Sequence, residues 1–392
     1  MDDTRSIHSM PAQAPLETNS GPSLDDYLTQ LHMQSASDLY ITVGCPAAIR
    51  GDEGIKEYGK VLTPKDMDYI VGNLLSEELM HKFKSEKELN MSVERAGMGR
   101  FRVNIMFQKN QPAFVIRRIV ADIPQFENLG LPDLFKDLSM TKRGLILLTG
   151  VTASGKSTTL ASMLDYRNRN ERGHIITIED PIEYFHEHKQ SVITQREVGI
   201  DTQSFAAALK NSLRQRPDAI LIGEIRDHEV MEHALTIAET GHLALATLHT
   251  TNAYQSVERI INFFPEEQYS QVRLSLSLNL RAIVSQRLLP STDGKLVLAQ
   301  EILLNEGLVK ELILKGETLK IREVMEENKS MGMQTFDQAL IDLYAAGKIS
   351  EDVALAYSDR PSDLKIKLGN INIQNEQGDF SQMDTSGLYL SD

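Results

Sequence analysis

The chain has 392 residues, 41% hydrophobic and 24% charged, which is enough for two cores of ordinary globular composition. Lys and Arg total 41 against 55 Asp and Glu, a formal charge of -14, and this balance argues against a protein that tracks nucleic acid. The single cysteine, Cys45, excludes an internal disulfide and a four-cysteine zinc site, and no apolar run reaches the roughly 20 residues that span a bilayer.

Residues 1–22 are polar, carry no apolar signal-peptide core, and read as a disordered leader of a cytoplasmic protein. Order is expected from Ser23, an N-cap candidate ahead of Leu24, Tyr27, Leu28 and Leu31 at helical spacing. Asp38–Val43 has strand character, residues 63–90 carry a helical pattern, and Arg100–Phe107 alternates as a half-buried strand does. These elements predict a small α/β domain over 23–121, with Pro124, Gly130 and Pro132 marking a linker over 122–136. From residue 144 the pattern changes to near-continuous apolar runs, 144–150, 174–179, 219–223 and 242–249, separated by helical stretches. Such runs fit a parallel sheet with both faces covered. After Pro290 the chain reads as mainly helical, closing a second domain at 137–365, and the polar stretch 366–392 reads as an unstructured tail.

The strongest local signal is Gly150-Val151-Thr152-Ala153-Ser154-Gly155-Lys156-Ser157, followed by Thr158, which fits G-x-x-x-x-G-K-[ST] between a strand and a helix. In that context loop and helix N–H groups point at phosphates, Lys156 adds a point charge, and Ser157 offers a hydroxyl to Mg²⁺. ATP with Mg²⁺ is therefore the expected ligand pair.

Hydrolysis also needs a carboxylate to orient water and a second anchor for the metal. Two later strands end in acids, at Glu179-Asp180-Pro181-Ile182-Glu183 and at Gly223-Glu224-Ile225-Arg226. Ligands in open α/β sheets lie beyond the carboxyl ends of the strands, so Glu224 is the expected metal or water residue. Asp180 and Glu183 are also candidates, against the plainer roles of helix capping or pairing with nearby Arg226. A fourth strand carries His242 at its start and His249 near its end. Their odd spacing puts them on opposite strand faces, and His249 is the better phosphate-side candidate.

Together these elements resemble the PilT/PilU-type secretion (type II/IV) ATPase superfamily. The match comprises a Walker A loop, an acidic box at Ile178–Glu183, an atypical Walker B at Ile222–Glu224 and a histidine box from Thr240 to His249. It runs from about Ser37 to Ser358 and includes Ala36–Leu39, Arg100–Asn104 and Gly130–Pro132. The resemblance implies a PAS-like N-terminal domain, a RecA-like ATPase core with a helical C-terminal part, and a homo-hexameric ring. It also implies that Glu183 and Glu224 are catalytic, that His242 and His249 are the histidine-box pair, and that Arg102 and Arg117 reach the phosphates. One departure is Ala153, where the family usually has glycine; its methyl group matters only if the backbone there needs a positive φ.

Assembly and secretion motors of the family generally carry a further N-terminal domain and often a four-cysteine zinc insertion. Neither is visible here, which favours type IV pilus retraction and twitching motility. Leu308–Ile313 occupies the place of an Ala-Ile-Arg-Asn-Leu-Ile helix in the principal retraction motors and keeps only the final Leu-Ile. Leu308, Val309, Leu312 and Ile313 are expected on one buried helix face. This segment, with Asp165–Asn170 and Arg259–Pro265, resembles the accessory, PilU-like branch. That branch implies a PilT-type retraction ATPase and an inner-membrane pilus platform protein as partners, at the cytoplasmic side of the inner membrane. The competing readings are a self-sufficient retraction motor, a nucleic-acid-directed RecA-type ATPase, and a regulator that binds nucleotide without turning it over.

Overall fold

In the computed structural model, residues 21–51, 54–119 and 123–380 are described, with side chains to residue 370. Most of the expected leader, Asp122 of the expected linker and residues 381–392 of the expected tail lie outside them. The chain divides into two units, one ending at Ile119 and the other starting at Val120.

The first unit opens with α1 (Leu24–Met33), where Ser23 and Asp26 form a reciprocal capping box and Leu24, Tyr27, Leu28 and Leu31 are buried. Then come β1 (Asp38–Ile41), β2 (Ala47–Gly51) and β3 (Gly54–Tyr58), followed by α2 (Pro64–Leu74) and α3 (Glu77–Glu86). The single helical pattern over 63–90 is thus two helices: Leu75 is extended and Ser76 caps the second. Three further strands, β4 (Glu88–Arg95), β5 (Gly99–Gln108) and β6 (Gln111–Ile119), complete an antiparallel sheet of order β3-β2-β1-β6-β5-β4. Lys109 and Asn110 both take positive φ between β5 and β6, the backbone of a tight hairpin turn.

The second unit contains α4 (Phe126–Leu129), α5 (Leu134–Ser139), β7 (Gly144–Thr149), α6 (Lys156–Asn170), β8 (His174–Glu179), β9 (Val192–Glu197) and α7 (Phe205–Ser212). It continues with β10 (Ala219–Ile222), α8 (His228–Glu239), β11 (Leu243–Leu248), α9 (Ala253–Ile261) and α10 (Tyr269–Asn279). The hairpin β12 (Leu280–Pro290) and β13 (Leu296–Leu304) follows. Last come α11 (Leu308–Lys315), α12 (Ile321–Glu327), α13 (Phe336–Ala345), α14 (Glu351–Tyr357) and α15 (Pro361–Phe380). The seven-stranded sheet has the order β13-β12-β7-β11-β10-β8-β9, parallel throughout except at β13. Every residue of β7, β10 and β11 is buried, as strands covered on both faces require.

Three expectations differ from this picture. Strand β13 lies beyond Pro290, so the chain is not yet helical there. Helix α15 continues to Phe380, through residues read as an unstructured tail. Helix α11 buries Val309, Leu312 and Ile313, but Leu308, at its first turn directly after Gly307, remains 52% exposed. The apolar face is therefore three residues wide. A separate small core, including Leu289, Ala299, Phe336, Leu340 and Leu364, joins α13–α15 to the outer part of the β12–β13 hairpin.

Candidate active site

The loop between β7 and α6 is shaped by glycines that no other residue could replace. A Cβ on Gly150 would lie 2.5 Å from Ser154 Oγ and 2.6 Å from the Gln286 carbonyl. Gly155, just before α6, has φ +94°. Ala153 takes φ +62°, in the left-handed region, so the departure from glycine does carry backbone strain. Such a conformation costs an L-residue about 1–2 kcal/mol. Replacing Ala153 by glycine is expected to recover about 0.5–1 kcal/mol, after the flexibility glycine adds to the unfolded chain, and to raise the melting temperature by about 1–4 °C. A lowered melting temperature would show that the loop is not strained there.

Lys156 is buried at the start of α6, and its Nζ donates to the carbonyls of Gly150 at 2.8 Å and Val151 at 2.9 Å. Burial lowers its pKa, while the carboxylates of Glu224 and Glu183 act in the opposite direction. Ser157 is half-buried beside it, and Thr158 Oγ1 lies 2.9 Å from the Tyr184 hydroxyl.

Glu224 leaves the end of β10 through a close backbone crossing. The Gly223 N–H donates to the Ile178 carbonyl at 2.8 Å, and Thr247 Oγ1 donates to the Gly223 carbonyl at 2.5 Å. A Cβ on Gly223 would sit 3.2 Å from Glu179 Cα. The Glu224 carboxylate then lies 3.2 Å from His249 Nε2 and accepts from Arg226 Nε at 2.8 Å. Arg226 also approaches Asp180 at 3.5 Å. Beneath them, Glu179 accepts from Thr177 at 2.6 Å and Gln195 at 3.3 Å. Burial pushes the Glu179 carboxyl up to about 7, with those hydrogen bonds pulling the other way.

These groups line one cavity of 310 Å³, which brings together Lys156 and Ser157, the acids Glu179, Asp180, Glu183 and Glu224, and Arg226, Thr247 and His249. Among the described residues no cluster of three His, Cys, Asp or Glu is poised to hold a metal. One hydroxyl from Ser157 and one carboxylate from Glu224 nevertheless suit Mg²⁺ shared with phosphate oxygens and water, the usual way this ion is held beside a nucleotide.

The structure does not bring His242 to this cavity. It precedes β11 at the amino end, with Nδ1 3.1 Å from Thr240 Oγ1, and the strand separates it from His249 by about 23 Å at 3.3 Å per residue. In the first unit, Arg102 and Arg117 stand directly opposite each other on β5 and β6. Asp38 is the next residue in the same cross-strand row, and its carboxylate accepts from Arg117 Nε at 2.8 Å. That pairing offsets part of the repulsion between two like charges set face to face. Sequence reasoning passed over Thr247 and Glu179 as site residues and gave Arg226 only the role of an ion-pair partner, which it fills with Glu224 and Asp180. Glu179, at the end of an apolar strand beside Asp180, is the one whose position could have been noticed.

Residues 79–331 match the family model described as "Type II/IV secretion system protein". The chain is 49% identical over 361 residues to the type IV pilus ATPase PilU of Pseudomonas aeruginosa, covering 91% of this chain and 94% of that one. It is 41% identical over 332 residues to the type IV pilus retraction ATPase PilT of the same organism, covering 84% and 96%. A crystal structure of the pilus retraction motor PilT with bound ADP superposes with a TM-score of 0.83 at 41% identity, covering 88% of this chain and 99% of that one. The ATPase DotB of Legionella pneumophila superposes with a TM-score of 0.74 at 25% identity, over 84% and 93%. On this match across most of its length, the chain belongs to the type II/IV secretion system protein family.

Proposed function

We propose that this chain is a Mg²⁺-dependent ATPase that serves as a motor subunit for type IV pilus retraction, PilU-like in acting with a PilT-type partner. The observation that carries the ATPase reading is the single cavity in which Lys156, Ser157, Glu183, Glu224 and His249 meet. Lys156 and the loop N–H groups hold the β- and γ-phosphates, and the Glu224–His249 pair orients the attacking water. Mg²⁺, when bound, neutralises charge on the transferred phosphoryl group. Glu183, which lines the same cavity, is the second candidate for water activation.

The second unit acts as a RecA-like core, and the first as a PAS-like sheet whose Arg102 and Arg117 reach phosphates within a homo-hexameric ring. Arginine suits that task because its planar fork spans several phosphoryl oxygens. The PilU-like reading is supported by 49% identity to PilU against 41% to PilT. An inner-membrane platform protein is the expected membrane contact; no helix among the described residues is long and apolar enough to cross the bilayer.

A bacterial strain lacking its PilT-type motor but expressing this protein is expected to keep its pili extended and to lose twitching. Normal retraction in that strain would show a self-sufficient motor and overturn the PilU-like assignment.

A further inference from the structure

Strand β12 pairs with β7, the strand that leads into the phosphate loop, and its residues 285–287 make three separate contacts. Ser285 Oγ lies 2.5 Å from Thr149 Oγ1, one residue before the phosphate loop. Gln286 Nε2 donates to Thr159 Oγ1 on α6 at 2.8 Å. Arg287 does something different: it joins the chain that follows His249 to the chain between α14 and α15. Its Nη2 donates to the Thr251 carbonyl at 3.3 Å and to Asp359 Oδ1 at 2.8 Å, and its Nη1 donates to the Tyr357 carbonyl at 2.7 Å. The guanidinium also stacks on Phe336, 3.7 Å from the ring centroid.

Two residues beyond Thr251, helix α9 begins without the cap its sequence suggests. Asn252 stands at the N-cap position, yet its side chain makes no cap bond and its Oδ1 is buried without a partner. The cap comes instead from Glu301 on β13, 1% exposed, whose Oε1 accepts from the Ala253 N–H at 2.5 Å. Its other oxygen lies 3.5 Å from the N–H of Phe336, the first residue of α13. A carboxylate shared between two helix N-termini is favoured by both dipoles. Burial still pushes the Glu301 carboxyl up to about 7, with the Ala253 N–H the largest influence acting against it.

The segment 249–253 is thus held at both ends, by Glu224 at His249 and by Arg287 and Glu301 at Thr251 and Ala253. On the far side, Asp359 donates its N–H to Asp337 Oδ1 at 3.1 Å, and Asp337 pairs with the buried Arg322 at 2.6 Å. The junction of α14 and α15 is therefore tied to α12 and α13 as well.

We propose that Arg287 and Glu301 are positioning residues that set the His249 segment at the nucleotide cavity and make its geometry depend on the junction between α14 and α15. The proposal rests on the ATPase reading above. Arginine is required at position 287 because three acceptors and an aromatic face are engaged by one planar fork, which an ammonium cannot reproduce.

The test compares the full-length wild type with Arg287→Lys, Asp359→Asn, His249→Ala and the double variant Arg287→Lys/His249→Ala. Arg287→Lys is expected to lower kcat for ATP about tenfold or more with KM changed less than about threefold, since misplacement by 1 Å can cost about 10²-fold in rate. In the His249→Ala background the same change is expected to cost less than about threefold, because both substitutions remove one function. Amide hydrogen exchange of residues 249–253 is expected to quicken about tenfold in Arg287→Lys and in Asp359→Asn, with that of β7 unchanged. Full additivity of Arg287→Lys with His249→Ala would overturn the proposal. So would an Asp359→Asn variant with wild-type kcat and wild-type exchange in 249–253. Absence of turnover in the wild type would instead refute the ATPase reading, and the exchange comparison would still decide whether Arg287 and Asp359 hold the segment.

Discussion

Replacement of Lys156 by alanine is expected to reduce ATP hydrolysis by about 10²–10³-fold or more while the melting temperature stays within a few degrees of wild type. Both expectations follow from where the ammonium sits. It is buried at the phosphate loop, where it donates to two loop carbonyls, and it lines the same cavity as Ser157, Glu183 and Glu224. Truncation removes a positive charge that acts in a partly water-excluded site, where it is worth far more than in bulk water. The fold loses little, because the same burial that lowers the Lys156 pKa makes the charge expensive to keep. Steady-state phosphate release and a thermal melt on one preparation test this. Turnover near the wild-type rate would show that the cavity is not the active site.

The second large effect is expected at Glu224. Glu224→Gln preserves shape and can still meet Arg226, but it removes the negative charge that faces His249 at 3.2 Å. Hydrolysis is expected to slow by about 10²–10³-fold, the usual cost of one preorganised group. ATP binding should change only severalfold, because the phosphate loop is intact. Filter-retained nucleotide should then be recovered mostly as ATP rather than ADP. Recovery mainly as ADP would remove Glu224 from the chemical step and pass that role to Glu183, whose Gln variant provides the comparison.

What could be read from the sequence was what is local. The phosphate loop is a contiguous run whose geometry depends on its own glycines, and four buried strands announce themselves as unbroken apolar segments. The acids at two strand ends follow from the rule that ligands lie beyond the carboxyl edge. What stayed hidden depends on partners far away in the chain. Gln286 and Arg287 lie in β12, where Arg281, Ser285, Gln286 and Arg287 interrupt the apolar pattern, and the strand follows α10 directly with no breaker. Nothing local marks Glu301 as the cap of a helix that begins 48 residues earlier. His242 illustrates the opposite failure: it shares a motif with His249, but an intervening strand carries it to the other end of the sheet. In the first unit, none of β2, β3, β4 and β6 is apolar from end to end, and antiparallel strands of this kind are recognised by their pairing more than by their composition.

The place of β12 in the sheet also bears on how the protein is made. Strand β7, which delivers the phosphate loop, lies between β11 and β12, and Ser285 sits opposite Thr149 in the β7–β12 register. A chain emerging from the ribosome therefore exposes its Walker A sequence long before the neighbour that supports it has been synthesised. Until about residue 290 has been added, one edge of β7 has no partner, and the loop lacks the Gln286 backbone against which Gly150 packs. Pairings across such a separation form late, because the intervening loop must be closed before any contact repays its entropy. Nascent chains ending before β12 would thus present one open edge of a largely apolar strand, the kind of edge that invites aggregation.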